Sequence, residues 1–200
     1  MARPSNPEIR TQLCERAIDY VLQHGFAAVS LRPMAKELKT NARMLVYHFG
    51  SREGLMREIL VGLREREDVV IQRRFQKKKT QPSLAEFVLW YWRRLSVPEA
   101  RPAALLIFEL YALALRDPKS YPGVLTDPIE YWRGLAANTG VRMKNAAEAT
   151  LLLGATRGLL LDLTATGDRA RVNKAIRLLA DCVSKKRAFG APGSRRTFRR

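Results

Sequence analysis

Three short polar residues punctuate the segment SLRPMAKELKTNARMLVYHFGSREGL, Ser30 to Leu55, at the spacing of helix starts: Ser30, Asn41 and Ser51. At each position a side-chain oxygen can accept the orphan N–H groups of a helix's first turn. The segment therefore reads as two short helices joined by a tight turn, followed by the opening of a third. That is the grammar of a helix-turn-helix, whose second helix can enter the major groove of DNA. The chemistry it supports is recognition through donated hydrogen bonds. Bond-making chemistry finds little support: the chain shows no Gly-rich phosphate loop, no His/Cys metal spacing and no nucleophile elbow. His24 and His48 fall in separate helices, Cys14 and Cys182 lie far apart, and the acidic residues are scattered. No catalytic residue, metal or cofactor is expected.

The charge balance points the same way. The 200-residue chain has a formal net charge of +17. Residues 1–50 carry +3, 51–79 carry +4, 80–184 carry +3 and the final sixteen residues carry +7. A polyanionic partner is the natural inference, and nucleic acid is the commonest. The plainer reading is a solvated surface with a basic tail. With 46% apolar residues the chain has the makings of a globular core. Met1–Arg10 lacks the apolar core of a secretory signal, and Ala103–Leu115, the longest apolar stretch, is interrupted by Glu109 and is too short to span a bilayer. A cytoplasmic protein with no membrane partner is expected.

The elements that must position the recognition segment are helical nearly throughout. Ile9, Leu13, Ala17 and Val21 step by four along one face, with Pro7 at the helix start and Gly25 at its end. Ser30–Leu38 and Asn41–Phe49 are the short pair. Ser51 begins a long helix running toward the basic run Lys77–Lys79. Pro82 and Ser83 open the next, which carries Phe87, Trp90 and Tyr91; Val97-Pro98 breaks it. Leu105–Leu115 is a further helix, Arg116–Thr126 a long loop, and Pro128–Asn138 a helix ending at Thr139-Gly140. Two late helices follow, Lys144–Ala165 and Asp168–Lys186, with Gly167 closing the first and Asp168 capping the second. No strand-like alternation and no internal repeat are found.

At this point the residues resemble a known family. Gly25, Ser30, the Met34-Ala35 pair, Leu38, Leu45, Tyr47-His48-Phe49 and Ser51-Arg52-Glu53-Gly54-Leu55 are similar to the DNA-binding domain of TetR-type regulators, over about Ile9 to Leu60. The resemblance implies an all-α homodimer of about nine helices. Its three-helix N-terminal domain (residues 6–62) binds DNA, and a helical domain (63–188) binds a small-molecule effector and dimerises; the turn to Gly, Pro, Ser and Arg after Ala188 separately reads as a basic disordered tail over residues 189–200. It further implies that Ser30 and Arg32 lie near DNA, that Asn41, Ala42, Arg43 and Met44 begin the recognition helix, and that Tyr47, His48 and Arg52 approach phosphates. Arg43 is the best base reader among them, since a guanidinium donates twice to guanine. His48 is equally well read as a packing residue. Lys39 stands where the family's turn has Gly; at a positive φ it costs on the order of 1 kcal/mol.

Family members repress transcription from a near-palindromic operator and are released by their ligand, so a repressor is the first expectation. A non-specific nucleic-acid binder driven by the basic tail is the alternative. Ligand-pocket candidates are Phe87, Trp90, Tyr91, Phe108, Glu109, Tyr111 and Trp132, since pockets are apolar with a few aimed polar groups. Each aromatic is at least as readily plain core. Glu109 must be at a surface or paired, because burying it alone is expensive; it could meet a cationic ligand. For the dimer interface, the candidates are Leu151, Gly154, Ala155 and Gly158 of one late helix, with the stripe Val172, Ile176, Leu179 and Val183 of the last; the Gly154 and Gly158 pair could instead lie against a neighbour within one chain.

Overall fold

A computed structural model of the chain describes residues 7–26, 30–75, 81–119, 121 and 128–184. Its described residues form nine α-helices and no strand. In chain order these are α1 (Pro7–His24), α2 (Leu31–Glu37), α3 (Ala42–Phe49), α4 (Arg52–Phe75), α5 (Leu84–Leu95), α6 (Arg101–Arg116), α7 (Pro128–Ala137), α8 (Ala146–Thr166) and α9 (Arg169–Ser184), with a 3-10 turn at Pro98–Ala100 before α6. No described helix is long and apolar enough to cross a membrane. The expected tail at 189–200, the Lys77–Lys79 run and most of the 116–126 loop lie outside the described residues.

Local chemistry explains most helix boundaries. Asn41 Oδ1 accepts from the Met44 amide at 2.9 Å, and Ser51 Oγ from the Gly54 amide at 3.0 Å. Ser83 and Glu86 form a reciprocal capping box at the start of α5. Asp168 Oδ1 accepts from the Arg171 amide at 3.0 Å, and Gly167 closes α8 in the left-handed region at φ +72°. Ser30 departs from expectation: it stands at the N-cap of α2 with extended backbone, but its side chain makes no capping bond. Lys39 does hold a positive φ, +53°, the only described non-glycine residue to do so. Lys39→Gly is therefore expected to stabilise the protein by roughly 1 kcal/mol, measured as a rise in the urea midpoint at unchanged m value.

Two cores share two helices. The first gathers Ile18 and Val21 of α1, Met34 of α2, Leu45 of α3 and Leu55 and Ile59 of α4, and it also takes Leu106, Leu110 and Ala114 from α6. The second joins Ile71 and Phe75 at the far end of α4 to α5, α7, α8 and α9. The boundary expected between residues 62 and 63 thus falls inside α4, which runs through without a break. One continuous helix spans both cores, and α6 is packed against the N-terminal unit by its own apolar face. On the outer side, Arg66 of α4 ties to Glu15 and, at 2.7 Å, to Asp19 of α1.

Candidate nucleic-acid interface and interior cavity

Helix α3 is anchored on one side and open on the other. Leu45, His48 and Phe49 are buried, at the spacing of one helical face. Arg43, Met44 and Tyr47 are exposed, and Arg43 and Tyr47, four residues apart, share the outward face. Arg32 and Ser30 are exposed at the start of α2, whereas Ala42 is partly covered. Arg52 stands at the start of α4 with its guanidinium 3.9 Å from the Glu53 carboxylate. Val46 is 40% exposed, so this face presents an apolar side chain beside its donors.

His48 does not join that surface. It is 8% exposed, and both ring nitrogens are buried without a hydrogen-bond partner among the described residues. Its ring lies edge-on to Tyr47 and beside Phe49. The structure places it as a packing residue on the inner face of α3, because residue 48 falls on the Leu45 side of that helix rather than the Arg43 side.

Arg10 of α1 is a residue that sequence reasoning missed. Its Nε donates to the His48 carbonyl at 3.2 Å, its Nη2 lies 2.8 Å from Glu58, and its guanidinium sits 5.5 Å from the Phe49 ring centroid. One side chain thereby fixes the end of α3 to both α1 and α4. Nothing in its local sequence distinguishes it from other charges on α1.

A cavity of about 190 Å³ lies where α1, α4, α5, α6, α7 and α8 converge. Of the expected pocket residues, Tyr91, Tyr111 and Trp132 line it. Phe87, Trp90, Phe108 and Glu109 do not. Phe87 is fully buried in the second core, Phe108 packs against that core, and Trp90 faces a shallow groove with Arg74, Arg93 and Arg94. Leu22, Leu60 and Leu63 of the N-terminal half contribute apolar walls. Arg64, Glu67, Tyr131 and Arg157 supply further polar groups, none of them among the expected pocket residues.

Those polar groups are mostly engaged with one another. The Arg157 guanidinium lies 4.6 Å from the Tyr111 ring centroid and donates to the Tyr111 hydroxyl. Arg64 stacks over Tyr131 at 5.0 Å, and the Tyr131 hydroxyl donates to the Arg64 carbonyl at 3.3 Å. Glu67 pairs with Arg94 at 2.9 Å. Burial pushes both the Tyr91 and Tyr131 hydroxyls well up; the Glu67 carboxylate adds to this for Tyr91, and Asp68 for Tyr131. Both phenols are therefore neutral across the physiological range.

Glu109 has a different role from a ligand contact. Its Oε2 accepts from the Phe26 amide at 2.8 Å, across 83 residues of sequence. A Cβ at Gly25, whose φ is +81°, would lie 2.8 Å from that same oxygen. The lack of a side chain at Gly25 therefore both ends α1 and lets α6 reach the turn. Glu109→Ala would leave a partly buried N–H without its acceptor. An expected loss of about 1–2 kcal/mol follows, read from the urea midpoint, with Glu109→Gln recovering part of it because its amide oxygen still accepts.

The late helices divide the expected interface residues in two. Val172 and Ile176 are buried in the chain's own second core, and Leu179 and Val183 pack against it. That stripe faces α5 and α8, along which α9 lies, with Leu179 and Val183 only partly covered. On α8, by contrast, Leu151 is 53% exposed, Gly154 and Gly158 are exposed, and a Cβ at either glycine would meet nothing within 4 Å among the described residues. Leu161, 52% exposed, continues this face, and Ala155 is partly covered at its edge.

Comparisons with known proteins place this architecture. Residues 14–59 match the model of bacterial regulatory proteins of the tetR family. No curated protein matches the sequence. Among solved structures, the chain is similar to the multidrug binding protein EbrR complexed with imidazole, at 23% identity and a TM-score of 0.67, covering 97% of this chain and 96% of that one. It is also similar to Salmonella enterica GusR, at 21% identity and TM-score 0.63, over 92% and 100% of the two chains. A regulator from Saccharomonospora viridis in complex with choline matches at 18% identity and TM-score 0.64, over 90% and 98%. These structural likenesses extend the shared fold beyond residues 14–59 to nearly the whole chain.

Proposed function

From a TetR-family helix-turn-helix domain joined to a cavity-bearing helical unit, we propose that the chain is a homodimeric transcriptional repressor, released from a near-palindromic operator by a small-molecule effector. One observation carries the DNA-binding part: α3 is capped by Asn41, anchored by Leu45, His48 and Phe49, and turns Arg43 and Tyr47 outward on one face. A helix so held can enter a major groove while Arg52, at the start of α4, meets the flanking phosphate.

Dimerisation is supported by the uncovered face of α8. Its small residues let two helices approach closely, and its exposed leucines would otherwise remain in water. The relatives solved with imidazole or choline support an effector, and the cavity of this chain provides room for one. Because Leu22, Leu60 and Leu63 form part of its wall, a ligand there touches α1 and α4 directly. Release from DNA then requires the ligand to bind one arrangement of those helices more tightly than the other.

Selection of bound sequences from random duplex DNA tests this reading, with an enriched near-palindrome as the expected outcome. Arg43→Ala is expected to reduce discrimination between the selected site and random DNA by about 1–3 kcal/mol, as a guanidinium–guanine pair does. Arg52→Ala should weaken both alike and lower the slope of log K against log salt by about one. An unchanged specificity ratio in Arg43→Ala would remove Arg43 as the base reader. A chain ending at Ser184 should keep the sequence preference; if it loses all binding, the basic tail is the driver instead.

A further inference from the structure

We propose that the cavity takes a small organic acid, an apolar body of one ring or a short branched chain bearing a single carboxylate, with Arg157 as the anchor for the anion; this rests on reading the cavity as the effector site. Its volume of about 190 Å³ falls below the roughly 300–1,000 Å³ of sites that hold drug-sized ligands. A single ring or short branched chain matches that space.

The charges choose the sign of the ligand. Two guanidinium groups, Arg64 and Arg157, and one carboxylate, Glu67, line the cavity. Glu67 is already engaged by Arg94, whose Nε and Nη2 lie 2.9 and 3.5 Å from its two oxygens. Arg157 has no carboxylate partner among the described residues; it meets the hydroxyl and the ring of Tyr111. A guanidinium carries five donors, so most of its capacity is left for an acceptor. Trp132, in the same wall, has a buried indole N–H without a partner among the described residues, and an indole nitrogen can only donate.

An organic cation would need the reverse arrangement. It is held by open aromatic faces and an unspent carboxylate. Here the Tyr111 and Tyr131 rings are already covered by Arg157 and Arg64, at 4.6 and 5.0 Å. A cation entering the cavity meets the Arg157 guanidinium, which no described carboxylate pairs, and an acid already held by Arg94. A carboxylate meets a planar donor fork that fits it in two parallel bonds.

The placement also gives the acid a regulatory grip. Arg157 stands on α8, while the apolar walls at Leu22, Leu60 and Leu63 belong to α1 and α4. A ligand with its carboxylate on Arg157 and its body against those leucines bridges the two cores. It thereby favours whichever spacing of α4 and α8 lets both ends bind.

Matched probes on the full chain test the assignment: benzoate, benzamide and benzyltrimethylammonium, each titrated calorimetrically and by tryptophan fluorescence. Benzoate should bind tightest, about tenfold or more over benzamide, and benzyltrimethylammonium weakest. Arg157→Gln should abolish the preference, bringing benzoate down to the affinity of benzamide, with an unchanged far-ultraviolet circular dichroism spectrum showing that the fold is intact. Arg157→Lys should restore part of the preference. Tightest binding of the cation, equal binding of benzoate and benzamide, or no benzoate binding at millimolar concentrations overturns the acid assignment. Failure to select any operator sequence, whatever benzoate does, overturns the regulator reading instead.

Discussion

Gly158→Glu is expected to leave the protein folded but monomeric, with operator affinity reduced by about 10²–10⁴-fold, the factor that linking two binding modules contributes. The glycine lies on the exposed face of α8, and a Cβ there would meet nothing within 4 Å among the described residues, so their packing has room for the change. In a symmetric pair of α8 helices the same substitution places two carboxylates against one another. Burying unpaired charges there costs far more than a surface contact returns. Sedimentation velocity reads the assembly state, and far-ultraviolet circular dichroism confirms the helices. The operator half-site should still bind, weakly, because α3 lies in the N-terminal unit. A dimer that survived Gly158→Glu would move the interface off this face.

A second large effect is expected at the turn between α3 and α4. Gly54→Ala should destabilise the N-terminal unit by about 3 kcal/mol or more, at or above the upper end of ordinary overpacking. A Cβ at this position would lie 2.0 Å from the Phe49 carbonyl oxygen, which is backbone and has no rotamer to yield. Relief requires the chain to open between Phe49 and Gly54. That would disturb the bond from the Gly54 amide to Ser51 Oγ, and with it the start of α4, where Arg52 stands. Operator binding should fall with stability, and urea unfolding would show a lowered midpoint. Ser51→Ala, which removes only the cap, should cost about 1 kcal/mol and serves as the comparison.

The two substitutions differ in how legible their sites were. Gly54 belongs to the run YHFGSREGL, where a helix end meets the next helix start within a few residues, and its surroundings are local. Gly158 sits in a G-x-x-x-G pair that sequence could assign equally to a dimer or to a neighbour within the chain. The stripe Val172, Ile176, Leu179 and Val183 was expected at the dimer contact, and Val172 and Ile176 are buried in the chain's own second core. Its period identifies one face of α9, but what covers that face is α5 and α8, far from it along the chain.

The cavity was the least legible part. Seven residues were expected to line it and three do, because aromatic side chains on α5, α6 and α7 divide between the packed core and the open space by fractions of a helical turn. Arg64, Glu67 and Arg157 carry no local mark, since each looks like one more charge on a mixed helix. Their meaning appears only when α4 and α8 face each other across Tyr91, Tyr111 and Tyr131. Glu109 was rightly marked as a carboxylate that needs a partner, yet the partner is an amide at the end of α1.

What the sequence determined by itself was therefore the helical class, most of the helix ends and the recognition segment. Asn41, Ser51, Ser83 and Asp168 act on amides within three residues of themselves, and the apolar period operates over a few turns, so both are written locally. Only the tertiary structure decided that His48 packs inward, that Arg10 pins α3, that α4 and α6 serve both cores, and which charges face the cavity. Those outcomes depend on where whole helices come to rest against one another, which apolar burial sets without leaving a local signature.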